Sequence, residues 1–151
     1  MYQLVVFIHV LCAVIAVGAN ATYVVWLTRG KMQRDQLLFV LRGIKFIDGR
    51  IANPAYGLLL LTGIAQVLMS GRTFHQTWLE WAILLWVVLA ALAYGMYSPG
   101  MRKQIKMLET GITPDDPAYV KLDGRQNIVG GVLFLIALAI LALMVFRPGG
   151  G

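Results

Sequence analysis

The chain alternates four long uncharged runs with short polar connections. The runs comprise Met1 to Thr28, Ile51 to Gly71, Trp81 to Met101 and Gln126 to Phe146. A helix needs about 20 residues to cross a hydrocarbon core of about 30 Å, and every run meets that length. The pattern therefore predicts four transmembrane helices, over residues 3–27, 52–70, 79–98 and 127–146.

The polar connections are too short to form a second domain, which predicts a single membrane domain over residues 1–151. We expect an all-α, polytopic integral membrane protein whose four transmembrane helices form one antiparallel bundle. Composition agrees, because 59% of the residues are hydrophobic and 13% are charged, against about 25% charged in soluble domains. The first span has no Lys or Arg before Arg29, unlike a secretory signal, so we expect it to be retained.

The basic residues are divided unevenly between the connections. Six of the 13 Lys and Arg residues lie between spans one and two, and five lie between spans three and four. By the positive-inside rule, the connections at 28–50 and 101–125 face the cytoplasm, and both termini of this cell-membrane protein face outward. Topology thereby explains the formal charge of +6, so we expect a lipid bilayer rather than nucleic acid as the partner.

Both basic connections contain apolar residues at helical spacing. In the first, residues 37–47 are amphipathic, and two placements are open: a helix in the headgroup plane, or a helix packed on the bundle. We expect Asp48-Gly49-Arg50 to break this helix. We expect Ser98-Pro99-Gly100 to stop span three, and the residues from Met101 to Leu108 to continue as helix outside the membrane. An aspartate should cap the helix that follows, either Asp115 or Asp116.

The first span carries a polar stripe on an otherwise apolar helix. At 100° per residue, one face holds His9, Cys12, Ala13, Ala16, Asn20 and Tyr23. An imidazole or carboxamide finds no hydrogen-bond partner among acyl chains, so this face should contact spans two or four. Val6, Val14 and Val25 should instead face lipid or the edge of the bundle.

Short motifs in three spans resemble a known family. They are Phe7-Ile8-His9-Val10 through Val17-Gly18-Ala19-Asn20, the pairs Asn53-Pro54 and Thr62-Gly63, and Pro99 followed by Arg102 and Lys103. The chain resembles an uncharacterised family of four-helix predicted integral membrane proteins. That family is similar in layout to CopD-type copper-resistance membrane domains and HemJ-type protoporphyrinogen oxidases, in which a first-helix histidine is associated with haem or metal.

The resemblance implies that His9 is a haem ligand, but it does not carry over an enzymatic activity. The HemJ-like pattern pairs its histidine with an intramembrane lysine, and spans two to four contain none here. Whether the protein is an enzyme is therefore left open. Hydrolysis and phosphoryl transfer have no support, because none of the four uncharged runs contains a carboxylate and no phosphate-binding loop is present.

The candidate cofactor is a b-type haem, because a single cysteine excludes the covalent attachment motif of c-type haem. His9 lies about 9 Å below the start of span one. His75 in the outer connection and Met69 near the end of span two are the candidates for a second axial ligand. Asn20 and Tyr23 are candidates for lining the cofactor. Copper held by His9 and Cys12 is the alternative.

Each of these side chains also has a simpler explanation. His9 could hydrogen-bond another helix, His75 could be an exposed loop residue, and Cys12 could be a small buried hydrophobe. These functional and structural explanations lead to two hypotheses about the function of the protein. The first is a haem-binding redox or haem-related membrane protein. The second is a non-catalytic subunit of a membrane complex, or a small-solute or copper transport protein, acting as a homo-oligomer or within a larger assembly.

Overall fold

The structure of the chain, a computed structural model, describes residues 1–71 and 74–148. Within that part every regular element is helical, which confirms the all-α class. The α-helices are α1 (Tyr2–Met32), α2 (Leu37–Ile47), α3 (Asn53–Ser70), α4 (Thr77–Leu92), α5 (Ser98–Glu109) and α6 (Pro117–Phe146).

Four continuous helical rods are long and apolar enough to cross a membrane, as the hydropathy pattern predicted. α1 and α6 are rods by themselves, whereas α2 joins α3 and α4 joins α5. The second rod runs from Arg34 to Ser70, and its 37 residues extend over about 55 Å at 1.5 Å per residue. This exceeds a hydrocarbon core of about 30 Å, so the rods project beyond it.

The predicted helix breaks were wrong. The turns Asp48–Ala52 and Ala93–Tyr97 are π-helical, and they join α2 to α3 and α4 to α5 without interruption. Pro54 and Pro99 are each the second residue after such a turn. A proline lacks the N–H that the helix ladder needs, and its ring crowds the carbonyl four residues earlier. The wider π turn gives that carbonyl room, so the helix continues where the sequence indicated a stop.

One end of the bundle holds both basic connections, and we call it the basic end; the other, which holds Met1 and the end of α6, is the terminal end. At the basic end, α2 packs on α1 and α5. Its apolar face joins a core made of Leu37, Leu41, Met107 and Tyr119. Of the two placements left open by the sequence, packing on the bundle is therefore confirmed.

The four rods associate as two pairs. α1 packs along α3, and α4 packs along α6, while within the described residues no Cα atom of α3 lies within 8 Å of one in α4 or α6. Contacts between α1 and α6 and between α2 and α5 join the pairs. The pairs therefore leave space between them, and two cavities lined by α1, α3, α4 and α6 occupy it.

Candidate functional site

His9 is oriented by a threonine on the neighbouring helix α3. Its Nδ1 lies 2.8 Å from Oγ1 of Thr62 on α3. The hydroxyl of Thr62 donates its own proton to the carbonyl of Leu58, at 2.6 Å. Because that hydroxyl has only one proton, we assign His9 Nδ1–H as the donor and Thr62 as the acceptor. The other ring nitrogen, Nε2, then carries a lone pair, as a metal-ligating histidine requires.

Gly63 lies beside this imidazole. A Cβ atom at position 63 would lie 3.4 Å from Cε1 of His9, which is ordinary van der Waals contact, so the ring edge packs close to the glycine backbone. Thr62 therefore orients the ring, and Gly63 packs beside it. Their adjacency in the sequence is the signal that could have identified the pair.

His9 borders a cavity of about 600 Å³ in the terminal half of the bundle. Cofactor sites commonly enclose about 300–1,000 Å³ behind mostly apolar walls. The walls here are chiefly aliphatic and aromatic side chains of α1, α3, α4 and α6. Gln66 Nε2 and Trp86 Nε1, two hydrogen-bond donors on these walls, are buried and have no partner among the described residues.

A cation lies at the terminal end of this cavity. Arg147 follows the last turn of α6 and lines the cavity, with its guanidinium carbon 5.6 Å from the centre of the Trp78 ring. Arginine over an aromatic face remains available for an anionic group. Sequence reasoning missed Arg147, Gln66 and Trp86 as site residues. The position of Gln66 could have been predicted from the sequence, because it lies one helical turn after Thr62 and therefore on the same face of α3.

The predicted stripe on α1 faces other helices. Cys12 and Ala16 are buried against Ala55. Further along, Asn20 Nδ2 donates to the hydroxyl of Tyr56 at 2.6 Å, and Tyr23 is 5% exposed. On the opposite face, Val14 and Val25 are exposed. The predicted orientation is confirmed for these residues, although the exposed Val14 and the half-buried Val6 also line the His9 cavity.

The structure does not bring the remaining candidates to His9. The His75 side chain is 91% exposed, and its Nδ1 lies 3.3 Å from Oε1 of Glu80. Met69 is 44% exposed, and neither Met69 nor Cys12 borders the His9 cavity. Over residues 1–71 and 74–148, no group of three His, Cys, Asp or Glu side chains is arranged to hold a metal ion.

Asn20 and Tyr23 line a second cavity, of about 510 Å³, in the basic half of the bundle. Tyr56 and Trp86 border both cavities and separate them. The structure thus divides the predicted cofactor residues into two groups. His9 belongs to an apolar cavity, and Asn20 and Tyr23 belong to a polar one.

The fold and its two cavities define a multi-pass helical membrane protein with internal sites in each half of the bundle. The chain belongs to the family described as "Predicted integral membrane protein (DUF2269)", whose model matches residues 3–148. This family assignment agrees with the resemblance seen in the sequence. No curated protein and no solved structure matched the chain.

Proposed function

We propose that this membrane protein binds one b-type haem in the terminal cavity, with Nε2 of His9 as an axial ligand. The observation that carries the proposal is the hydrogen bond from His9 Nδ1 to Thr62. It fixes the tautomer that leaves Nε2 free to bind iron, and it belongs to the class of outer contacts that orient metal-ligating histidines. A haem-binding redox or haem-related role follows from this site.

The composition of the cavity supports this ligand. Its volume of about 600 Å³ and its apolar walls suit a flat hydrophobic macrocycle. Haem also carries propionate groups, and Arg147 at the end of the cavity offers a positive charge to them. Met144 lines the same cavity and is the thioether available as a second axial ligand. Gln66 Nε2, which has no partner within residues 1–71 and 74–148, offers a further hydrogen bond.

The charge distribution supports an orientation for the site. With the basic end in the cytoplasm, both termini and the haem would lie toward the outer face of the cell membrane. A redox partner or haem donor would then approach from outside. The resemblance to CopD-type and HemJ-type layouts, which also use a first-helix histidine, is consistent with this arrangement.

An absorbance spectrum of the protein purified in mild detergent tests the proposal. We expect a Soret band and reduced-minus-oxidised peaks of a b-type haem after expression with ample haem supply. His9→Ala should abolish them because it removes the axial ligand. His75→Ala is the matched control, since the side chain of this histidine is exposed and does not line the cavity, and it should leave the spectrum unchanged.

A colourless, well-folded protein would contradict haem binding and favour the structural-subunit or small-solute alternatives. Metal analysis of the same sample tests the copper alternative. Stoichiometric copper that disappears on changing His9 or Cys12 would replace the haem proposal by a copper site.

A further inference from the structure

The basic-end cavity is bordered by both π-helical turns that occur among the described residues. Asp48, in the turn Asp48–Ala52, lines it, and so do Ala93, Tyr94 and Tyr97 of the turn Ala93–Tyr97. A π turn widens a helix and leaves backbone groups outside the regular ladder, and such turns are frequent at functional sites. Two of them on one cavity indicate more than helix-to-helix packing.

Polar groups that face this cavity have hydrogen-bonding capacity to spare. Tyr23 is 95% buried, as its 5% exposure shows, and its hydroxyl has no partner among the described residues. The hydroxyl of Tyr56 accepts a hydrogen bond from Asn20, which leaves its own proton free to be donated. A buried donor or acceptor without a hydrogen-bond partner reduces the free energy of unfolding by about 1–3 kcal/mol, so water bound in the cavity would be stabilising.

Charged residues line the mouth of the cavity at the basic end. Lys31 Nζ lies 2.7 Å from Asp123 Oδ2, and Gln104 donates to the other oxygen of that carboxylate at 3.1 Å. Lys45 lies 3.4 Å from Asp48, whose side chain is 14% exposed. The hydrogen-bonding groups therefore extend from the charged end to the tyrosines inside the bundle.

This series of hydrogen-bonding groups ends at the centre of the bundle. Tyr56 and Trp86 line both cavities, and the cavity beyond them has chiefly apolar walls. An indole ring between a polar and a chiefly apolar space hinders the passage of water, because few polar groups line the far side. The two cavities are thus unlike in chemistry and separated by two aromatic side chains.

We propose that the basic-end cavity is a water-filled half-channel that admits water and protons from the basic side as far as Tyr56 and Trp86. Along it, each tyrosine hydroxyl or water molecule releases a proton on one side as it accepts one on the other, so nothing is consumed. Intramembrane polar groups commonly mark such proton paths. This inference goes beyond the proposed function and does not depend on haem at His9.

Cysteine labelling tests the half-channel. In a Cys12→Ser background, Ala90→Cys places a thiol on the cavity wall, and Ala91→Cys places one on the exposed face of the same helix. Charged, membrane-impermeant thiosulfonates react with thiolates, which form in water and not in lipid. Thr113→Cys, in the exposed connection after α5, reports which side of a sealed vesicle is the basic side.

We expect Ala90→Cys to be labelled from the side that labels Thr113→Cys, and Ala91→Cys to stay unlabelled. Equal labelling of the two alanine positions, or none at either, would overturn the half-channel. Gly57→Cys is a second variant with a thiol on the cavity wall. A Cβ atom at position 57 meets no atom within 4 Å, so this variant should not disturb folding. Its labelling must agree with that of Ala90→Cys.

The position of the barrier has its own test. Ala13 lines the His9 cavity, so Ala13→Cys should resist a reagent added on the basic side. Adding Trp86→Ala should open the barrier and permit labelling from that side. Trp81→Ala is the matched control, because Trp81 on the same helix is 55% exposed and borders neither cavity. Labelling of Ala13→Cys without the Trp86 change would show that water passes the barrier and would refute the proposed end point.

Discussion

Gly100 of α5 lies directly against the side-chain amide of Gln126 on α6. A Cβ atom at position 100 would overlap this amide, with Nε2 only 2.6 Å away. The amide itself is buried and donates from Nε2 to the carbonyl of Tyr97 at 2.8 Å. Tyr97 ends a π turn, so the glycine lets α6 approach closely enough to satisfy a carbonyl in this irregular segment.

We predict that Gly100→Ala destabilises the protein by about 1–3 kcal/mol, because the added methyl group must displace a buried, hydrogen-bonded amide. Gly43→Ala is the matched control, since a Cβ at position 43 in α2 meets nothing within 4 Å. Helix propensity alone should make that variant more stable by about 0.5–1 kcal/mol. Unfolding in mixed detergent micelles measures both, and equal shifts for the two glycines would contradict the close contact.

A second prediction concerns the hydrogen bond that orients His9. Thr62→Val keeps the shape of the side chain but removes the acceptor for His9 Nδ1, and losing such an outer contact commonly costs 10- to 100-fold, roughly, in ligand affinity. We expect that loss in a haem titration followed at the Soret band. Thr62→Ser retains the hydroxyl and should bind nearly as the unaltered protein does. Similar affinities for the valine and serine variants would show that Thr62 does not position the ligand.

The number of membrane spans and the inward face of α1 could be predicted because both depend on local patterns. Hydrophobic length determines a span, and the 3.6-residue period places Cys12, Ala16 and Tyr23 on one face. The helix cap was also predictable, since Asp116 accepts a hydrogen bond from Ala118 N at 2.8 Å. A side chain that caps its own helix start needs no information from the rest of the chain.

The π turns and the two cavities could not be predicted in this way. Asp48-Gly49-Arg50 and Ser98-Pro99-Gly100 indicate helix ends locally, and only packing between the rods stabilises the widened turns that let the helices continue. The donor at Trp86 and the cation at Arg147 belong to the His9 cavity through the arrangement of α4 and α6 around it. Such long-range proximity leaves no trace in the spacing of residues along a helix.

A third prediction compares two ion pairs at the basic end. Lys31 and Asp123 have side chains 33% and 21% exposed, and Asn127 and Gln104 also bind the Asp123 carboxylate. Arg34 and Asp115 form a pair with both side chains at least 60% exposed. Double-mutant cycles to alanine should give a coupling free energy of about 1–2 kcal/mol for the first pair and under about 0.5 kcal/mol for the second. A larger coupling for the exposed pair would contradict this ranking.

The last prediction is the orientation, which decides from which compartment haem and water would reach the two cavities. The basic connections predict a cytoplasmic basic end, because translocating Lys and Arg clusters across the membrane is disfavoured. A fluorescent-protein fusion after Gly111, in the connection between α5 and α6, should therefore fold and fluoresce in the cytoplasm. An alkaline phosphatase fusion after Gly71, the residue that follows α3, should be active on the outer side of the membrane. Arg72, the basic residue of that connection, is not among the described residues. Phosphatase activity after Gly111 would reverse the orientation, and the half-channel would then admit water from outside while His9 faced the cytoplasm.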